Sequence, residues 1–355
     1  MDGTKKTWDD ICDQCTTRRP APMAPDVFEQ MIRDGMTRER AQPGTGVRFT
    51  NGKDATEVII PQYTTGFLRL MREAKYIAYV GLHWGDEELC ALAGAIRYAH
   101  LQGLLKQCAE VKLANNEIGD KGLRALSAEL TTGVLPQLTL LVLENNRVGD
   151  AGLEALSKAA CAGGALLRLE GLLLHNNRIG DAGIKVFSEA LATGALRQLD
   201  HLDLGGNRIG DAGMQAFSEA CAGGALASLC ELYLHDNQIS DQGMIALAEA
   251  LDKGALSDCF TLNLGGNLFG EGGMQAFATT VAGGAPVSFS KLFVDEGSMG
   301  TGHPGLKAAC EARQVELVPH MPPAVPLSAG LLKHPFRLGH VAAVAPTTLP
   351  PPLEA

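Results

Sequence analysis

Aromatic residues are scarce in this chain of 355 residues, at 5% of positions. A core must therefore be aliphatic, drawn evenly from the 46% of residues that are hydrophobic. Positive charge is also short, with 30 Lys and Arg against 40 Asp and Glu and a formal net charge of −10. That balance excludes a nucleic-acid module, which needs a basic footprint, and argues against docking on an anionic membrane surface. No run approaches the roughly 18 apolar residues that a membrane helix requires. The opening MDGTKKTWDDICDQC has no apolar stretch and is not expected to be a secretory signal. Nine cysteines, an odd number scattered over a long chain, do not make a disulfide framework. Reduced thiols in a cytoplasmic protein are expected, with the nucleus as the other compartment. Phosphate-loop chemistry is excluded too. The glycine pairs Gly163-Gly164 and Gly205-Gly206 fall at helix exits or just after strands, and no G-x-x-x-x-G-K-[ST] occurs.

What the chain has instead is repetition. LLLHNNRIGDAGIKVFSEALATGAL begins at residue 172, and LDLGGNRIGDAGMQAFSEACAGGAL follows it thirty residues later. Aligned copies place asparagines at Asn116, Asn146, Asn177, Asn207, Asn237 and Asn267, spaced by 30, 31, 30, 30 and 30 residues. A fixed period of this size marks a solenoid. Each copy opens with a short alternating segment, such as Leu172 and Leu174 or Leu202 and Leu204, which predicts a strand with one buried face. After the Asn come an apolar residue and usually Gly-Asp. Asp120, Asp150, Asp181, Asp211 and Asp241 are placed to cap helix N-termini, and Glu271 in the sixth copy should cap less well. Apolar residues at i, i+3 and i+7, for example Ile184, Phe187 and Leu191, predict an amphipathic helix. Gly133, Gly194, Gly224 and Gly254 fall where the chain must leave that helix. One copy cannot hide both apolar faces alone, so stacking is required. The Asn amide both donates and accepts, and in a stack it can satisfy the turn backbone of neighbouring copies.

The pattern L-x-x-L-x-L-x-x-N-x-I-G-D-x-G followed by an apolar helix resembles a leucine-rich repeat. The long helix after every strand is similar to the ribonuclease-inhibitor-like subclass, seen also in Ran GTPase-activating proteins and NOD-like receptors. The resemblance implies an α/β leucine-rich-repeat solenoid, a horseshoe with a parallel inner sheet and outer helices. It covers residues 74–318, with six regular copies and a degenerate one at each end. Upstream, Leu82 stands where the Asn belongs; downstream, Gly297 does. Residues 1–73 do not repeat and are expected to form a partly disordered cap, with helices near 26–33 and 65–75. Residues 319–355 hold nine of the 17 prolines and are expected to be a disordered tail, in which LLKHPFRLGH reads as linker rather than docking motif.

Alternation puts one set of strand side chains on the concave face: Glu144, Leu173, His175, His201, Asp203, Glu231, Tyr233, His235, Asn263 and Phe293. Val142, Leu173, Tyr233 and Phe293 are unusually apolar for an exposed column, and aromatic anchors in a polar surround are the composition of a binding hot spot. Arg147, Arg178 and Arg208 follow the Asn in successive copies and should line the rim, exposed or gripping an acidic partner or a phosphate. The reading is a non-enzymatic, monomeric interaction scaffold whose protein partner meets the concave face. The alternative is a GTPase-activating regulator resembling the Ran activators, with a small GTPase as partner. No catalytic, cofactor or metal residues are expected. His175 and His235 come from copies two apart, about 10 Å by strand spacing, and no serine or cysteine shares their face. Cys12-x-x-Cys15 lacks two further ligands for zinc, while Cys108, Cys221 and Cys259 sit at repeat positions as small buried hydrophobes.

Overall fold

A computed structural model describes residues 20–44, 46–47, 53–162, 166–286, 288–295 and 300–320. Two helices come first, α1 (Pro25–Ala41) and α2 (Ile60–Glu73). Strand and helix then alternate: β1 (Tyr76–Ala78), α3 (Asp86–Leu101), β2 (Glu110–Lys112), α4 (Asp120–Leu130), β3 (Leu140–Val142), α5 (Asp150–Cys161) and β4 (Gly171–Leu173). They continue as α6 (Asp181–Ala192), β5 (His201–Asp203), α7 (Asp211–Ala222), β6 (Glu231–Tyr233), α8 (Asp241–Asp252) and β7 (Thr261–Asn263). The series closes with α9 (Glu271–Gly283), β8 (Lys291–Val294), α10 (Pro304–Arg313) and β9 (Glu316–Pro319).

The nine strands form one open parallel sheet in chain order. Parallel pairing follows from the crossover that each helix makes before the next strand. Register is kept from copy to copy, so that Leu141, Leu172, Leu202, Leu232 and Leu262 stand side by side. These leucines are fully buried between sheet and helices, where Ile184, Phe187 and Leu191 of α6 meet them. This is the α/β solenoid that the repeat pattern implies. The helix-exit glycines Gly194 and Gly254 adopt φ of +85° and +89°, open to glycine at no steric cost. Two residues on, Leu196 and Leu256 also take positive φ yet lie buried. A left-handed leucine costs roughly 1–2 kcal/mol, which burial worth about 1.5–3 kcal/mol offsets.

The asparagines form a continuous ladder. Asn177 donates from Nδ2 to Leu143 O of the preceding copy at 2.9 Å and to its own Leu174 O at 3.0 Å. Its Oδ1 accepts from Val148 N at 2.9 Å. Asn146, Asn207 and Asn237 repeat the arrangement. At the N-terminal end Asn116 Oδ1 accepts from Leu82 N and Trp84 N, so the degenerate copy is held although it has no Asn of its own.

The aspartates correct one expectation. Each begins its helix, but none caps that helix. The residues before them, Gly119, Gly149, Gly180, Gly210 and Ser240, are the N-caps and contribute no side-chain capping bond. The carboxylate turns instead to the next copy: Asp120 Oδ1 accepts from Gly149 N at 2.6 Å and Gly152 N at 3.0 Å. Asp211 does the same with Ser240 N and Gly243 N. This satisfies free amides at the start of the neighbouring helix and ties consecutive copies together on the edge facing the turn. It also explains the second glycine of G-D-x-G. A Cβ on Gly183 would stand 2.7 Å from Asp150 Oδ1. At the end of the stack His303 takes over, accepting from Leu306 N through Nδ1 at 3.1 Å while Nε2 meets Glu271 Oε1 at 3.2 Å.

At the N-terminal side, Phe67 and Met71 of α2 join the main core, and α2 holds α1 through a Phe28–Tyr63 stack at 3.9 Å. Both helices run longer than the sequence suggests, and α10 with β9 extends the sheet by a strand the repeat alignment did not resolve. β9 ends at Pro319, inside the stretch expected to be tail. Cys12, Cys15, Gly163-Gly164, Gly297 and LLKHPFRLGH lie outside the described residues. Among the described residues no helix is long and apolar enough to cross a membrane.

Candidate functional site

Three columns of side chains leave the sheet on its inner side: positions such as 171, 201 and 231, then 173, 203 and 233, then 175, 205 and 235. The sequence reading treats them as open surface, and here the structure differs. Leu173, His175, Asp203, His235, Glu144, His201 and Asn263 are all buried, as is Val142. Side chains on this side cover one another instead of standing in solvent. Ala114, Val142 and Leu173 form a small apolar cluster on this side. Of the concave candidates, Glu231, Tyr233 and Phe293 stay half-buried and reach solvent.

The closest ring contact among the inner histidines lies near the middle of the sheet. His175 and His235, on the ends of β4 and β6, bring their rings to 4.9 Å in a stacked pair, half the flat-sheet distance. Gly205 between them makes this possible, since a Cβ there would lie 2.1 Å from the His235 ring. His320, following β9, sets its ring tilted against His235 at 5.1 Å. It occupies the space above Gly265 in the same way. Asp203 sits beside them with Oδ1 accepting from Gly205 N at 2.9 Å and lying 3.9 Å from His175 Nδ1. Burial pushes the Asp203 carboxyl up to about 7, against the Gly205 hydrogen bond and His201, which pull it down. Burial also holds His235 down to about 3, helped by His175 and His320, and lowers His175.

Tyr233 is not a free anchor. Its hydroxyl donates to Glu231 Oε2 at 2.8 Å, and that same oxygen meets His201 Nδ1 at 3.1 Å. Desolvation, with the Glu231 charge beside it, raises the Tyr233 phenol. The buried thiols Cys108, Cys221 and Cys259 are each pushed up to about 12 by desolvation, as inert core residues should be.

The rim is the accessible part. Arg147, Arg178 and Arg208 are exposed, and the same position continues as Gln238 and Leu268, the last 67% exposed. Their backbone amides are pinned in series: Arg147 N to Ile118 O, Arg178 N to Val148 O and Arg208 N to Ile179 O, at 2.7–2.8 Å. Arg147 pairs with Glu117 at 2.9 Å. Arg178 and Arg208 make no ion pair among the described residues. The stripe was legible from the copies. The histidine stack was not, although the alternation His175, Gly205, His235, Gly265 was its visible signal.

A family model described as leucine-rich repeat matches residues 110–127, 135–157, 197–218 and 226–248. No curated protein matches the chain. The matched copies are thus leucine-rich repeats, units that generally mediate protein–protein interaction.

Proposed function

From a solenoid of leucine-rich repeats we propose an interaction scaffold whose protein partner meets the rim arginines, with the half-buried side chains Glu231, Tyr233 and Phe293 as further contacts. The observation that carries this reading is the rim stripe. Arg178 and Arg208 are held one strand apart, about 4.8 Å by backbone spacing, with their charges unpaired among the described residues. Planar, forked guanidiniums at fixed spacing suit carboxylates or phosphates on a partner. A chain of net charge −10 that concentrates three arginines on one edge presents an acidic partner with a local exception to its own repulsion. The helices of 11–13 residues after β2 to β7 support the ribonuclease-inhibitor-like subclass. The buried concave set contributes shape and rigidity rather than contacts.

Affinity capture tests this directly. Immobilised chain should retain a protein that the Arg147→Glu/Arg178→Glu/Arg208→Glu chain loses, while Lys185→Ala on the outer face of α6 behaves as wild type. Equal retention by all three would refute the rim as the contact. Stimulated GTP hydrolysis by small GTPases in the same preparation would replace the scaffold reading with the activator.

A further inference from the structure

We propose that His175, Asp203 and His235 form a binding site for one divalent transition-metal ion of the zinc class, set into the concave face. This goes beyond the scaffold reading and does not rest on it. One ligand atom from each residue can be chosen so that all lie within 4.8 Å of one another. Bonds of about 2.0–2.1 Å at tetrahedral angles place ligand atoms roughly 3.4 Å apart. Closure therefore asks for side-chain shifts of little more than an ångström.

The stronger argument is what these atoms do without a ligand. His175, Asp203 and His235 are 2%, 0% and 1% exposed. Nevertheless His175 Nδ1, His235 Nδ1 and Asp203 Oδ2 make no hydrogen bond among the described residues. Burying polar atoms unpartnered is costly, and native interiors rarely do it once. Three residues that each bury such an atom, and whose ligand atoms gather within 4.8 Å, call for a common partner. The imidazole–carboxylate contact does not supply it, because His175 Nδ1 and Asp203 Oδ1 are 3.9 Å apart, beyond hydrogen-bond length.

The surroundings fit a held ligand set. Asp203 has one oxygen fixed by Gly205 N at 2.9 Å, leaving the other free to coordinate, as outer partners orient carboxylates in metal sites. Gly205 leaves the room in which the His235 ring reaches His175. Two imidazoles with a carboxylate suit zinc and its neighbours and disfavour magnesium or calcium, which take oxygen ligands. The sequence alone gives no metal here because a flat sheet separates the two histidines by about 10 Å.

The test uses the full chain carrying Cys12→Ser and Cys15→Ser, stripped with chelator. Titration with Co²⁺ alone should give visible absorption bands without a thiolate charge-transfer band, saturating at one ion per chain. Zn²⁺ should displace it and Mg²⁺ should not. His235→Ala and Asp203→Asn should each weaken Zn²⁺ binding by at least about tenfold, the effect common even for outer partners. Because either substitution can disturb the fold, the melting temperature of the chain with His175, Asp203 and His235 intact is the second readout. It should rise with Zn²⁺ and not with Mg²⁺. No rise, or binding that survives both substitutions, overturns the site.

Discussion

Replacing Asn177 by Ala in the middle of the stack should weaken the solenoid far more than replacing its neighbour Asn176, and the structure says why. Asn177 Oδ1 is the partner of Val148 N, and its Nδ2 bonds Leu143 O, Leu174 O and His175 O. The carbonyls are shared: Leu143 O also accepts from Asn146 Nδ2, and Leu174 O from Asn207 Nδ2. Removal therefore orphans only the Val148 amide outright, costing about 1–3 kcal/mol, and thins the carbonyl bonds by roughly 0.5–1.5 kcal/mol each. A total of at least about 3 kcal/mol is expected. Asn177→Asp should do no better, since a carboxylate accepts from Val148 N but cannot donate to the carbonyls beside it. Asn176 is exposed and bonds Asn145 Oδ1, yet it sits at φ +53°, so alanine there costs about 1 kcal/mol of left-handed strain. Asn176→Gly should recover most of that. Urea denaturation at constant m separates the cases. Equal losses for Asn176→Ala and Asn177→Ala would refute the ladder as the source of inter-repeat stability.

Glycine substitutions in helices should split in sign. Gly183→Ala meets Asp150 Oδ1 at 2.7 Å and should destabilise by about 1–3 kcal/mol, whereas Gly94→Ala, with open space around it, should stabilise by up to about 1 kcal/mol; thermal melts decide. The buried cluster should show itself in the pH dependence of stability of the metal-free chain. With His235 held down to about 3, only the unfolded chain takes up this proton below about pH 6.5, so His235 lowers stability as pH falls. Asp203, pushed up to about 7, keeps its proton only when folded between about pH 4 and 7, so its contribution is full at low pH and is lost as pH rises. Between pH 4 and 6.5 the two oppose. Asp203→Asn should therefore steepen the acid loss by about 1.4 kcal/mol per pH unit relative to wild type, and His235→Gln should flatten it by a similar amount. Slopes that move the same way would contradict the assigned shifts.

How far the sequence reaches depends on the distance over which each feature is determined. The leucine register, the Asn ladder and the helix stripes follow from periods within one copy, and all were legible. Asp150 was readable as a cap but not as a cap for the neighbouring helix, because that requires the offset between stacked copies. The burial of the concave side chains was missed for the same reason. Alternation says which side His175 and Asp203 leave the strand, but burial depends on how side chains of neighbouring copies close over one another, which no single copy encodes. Tyr233 looked like a protruding anchor and is instead tied to Glu231. His320 carried no repeat signal at all, yet the chain after β9 brings it against the His175–His235 pair.

The partner contact at the rim is the claim on which the functional account stands, and a dissociation constant measures it most directly. With the captured protein in hand, calorimetric titration of wild type, Arg178→Ala, Arg208→Ala and the double variant should be run at low and physiological salt. Each single change should raise Kd about tenfold or more, since charge-assisted bonds are worth about 1.5–3 kcal/mol. The salt dependence should weaken as the arginines are removed. A Kd unchanged by the double variant, with the same salt dependence as wild type, would contradict the account.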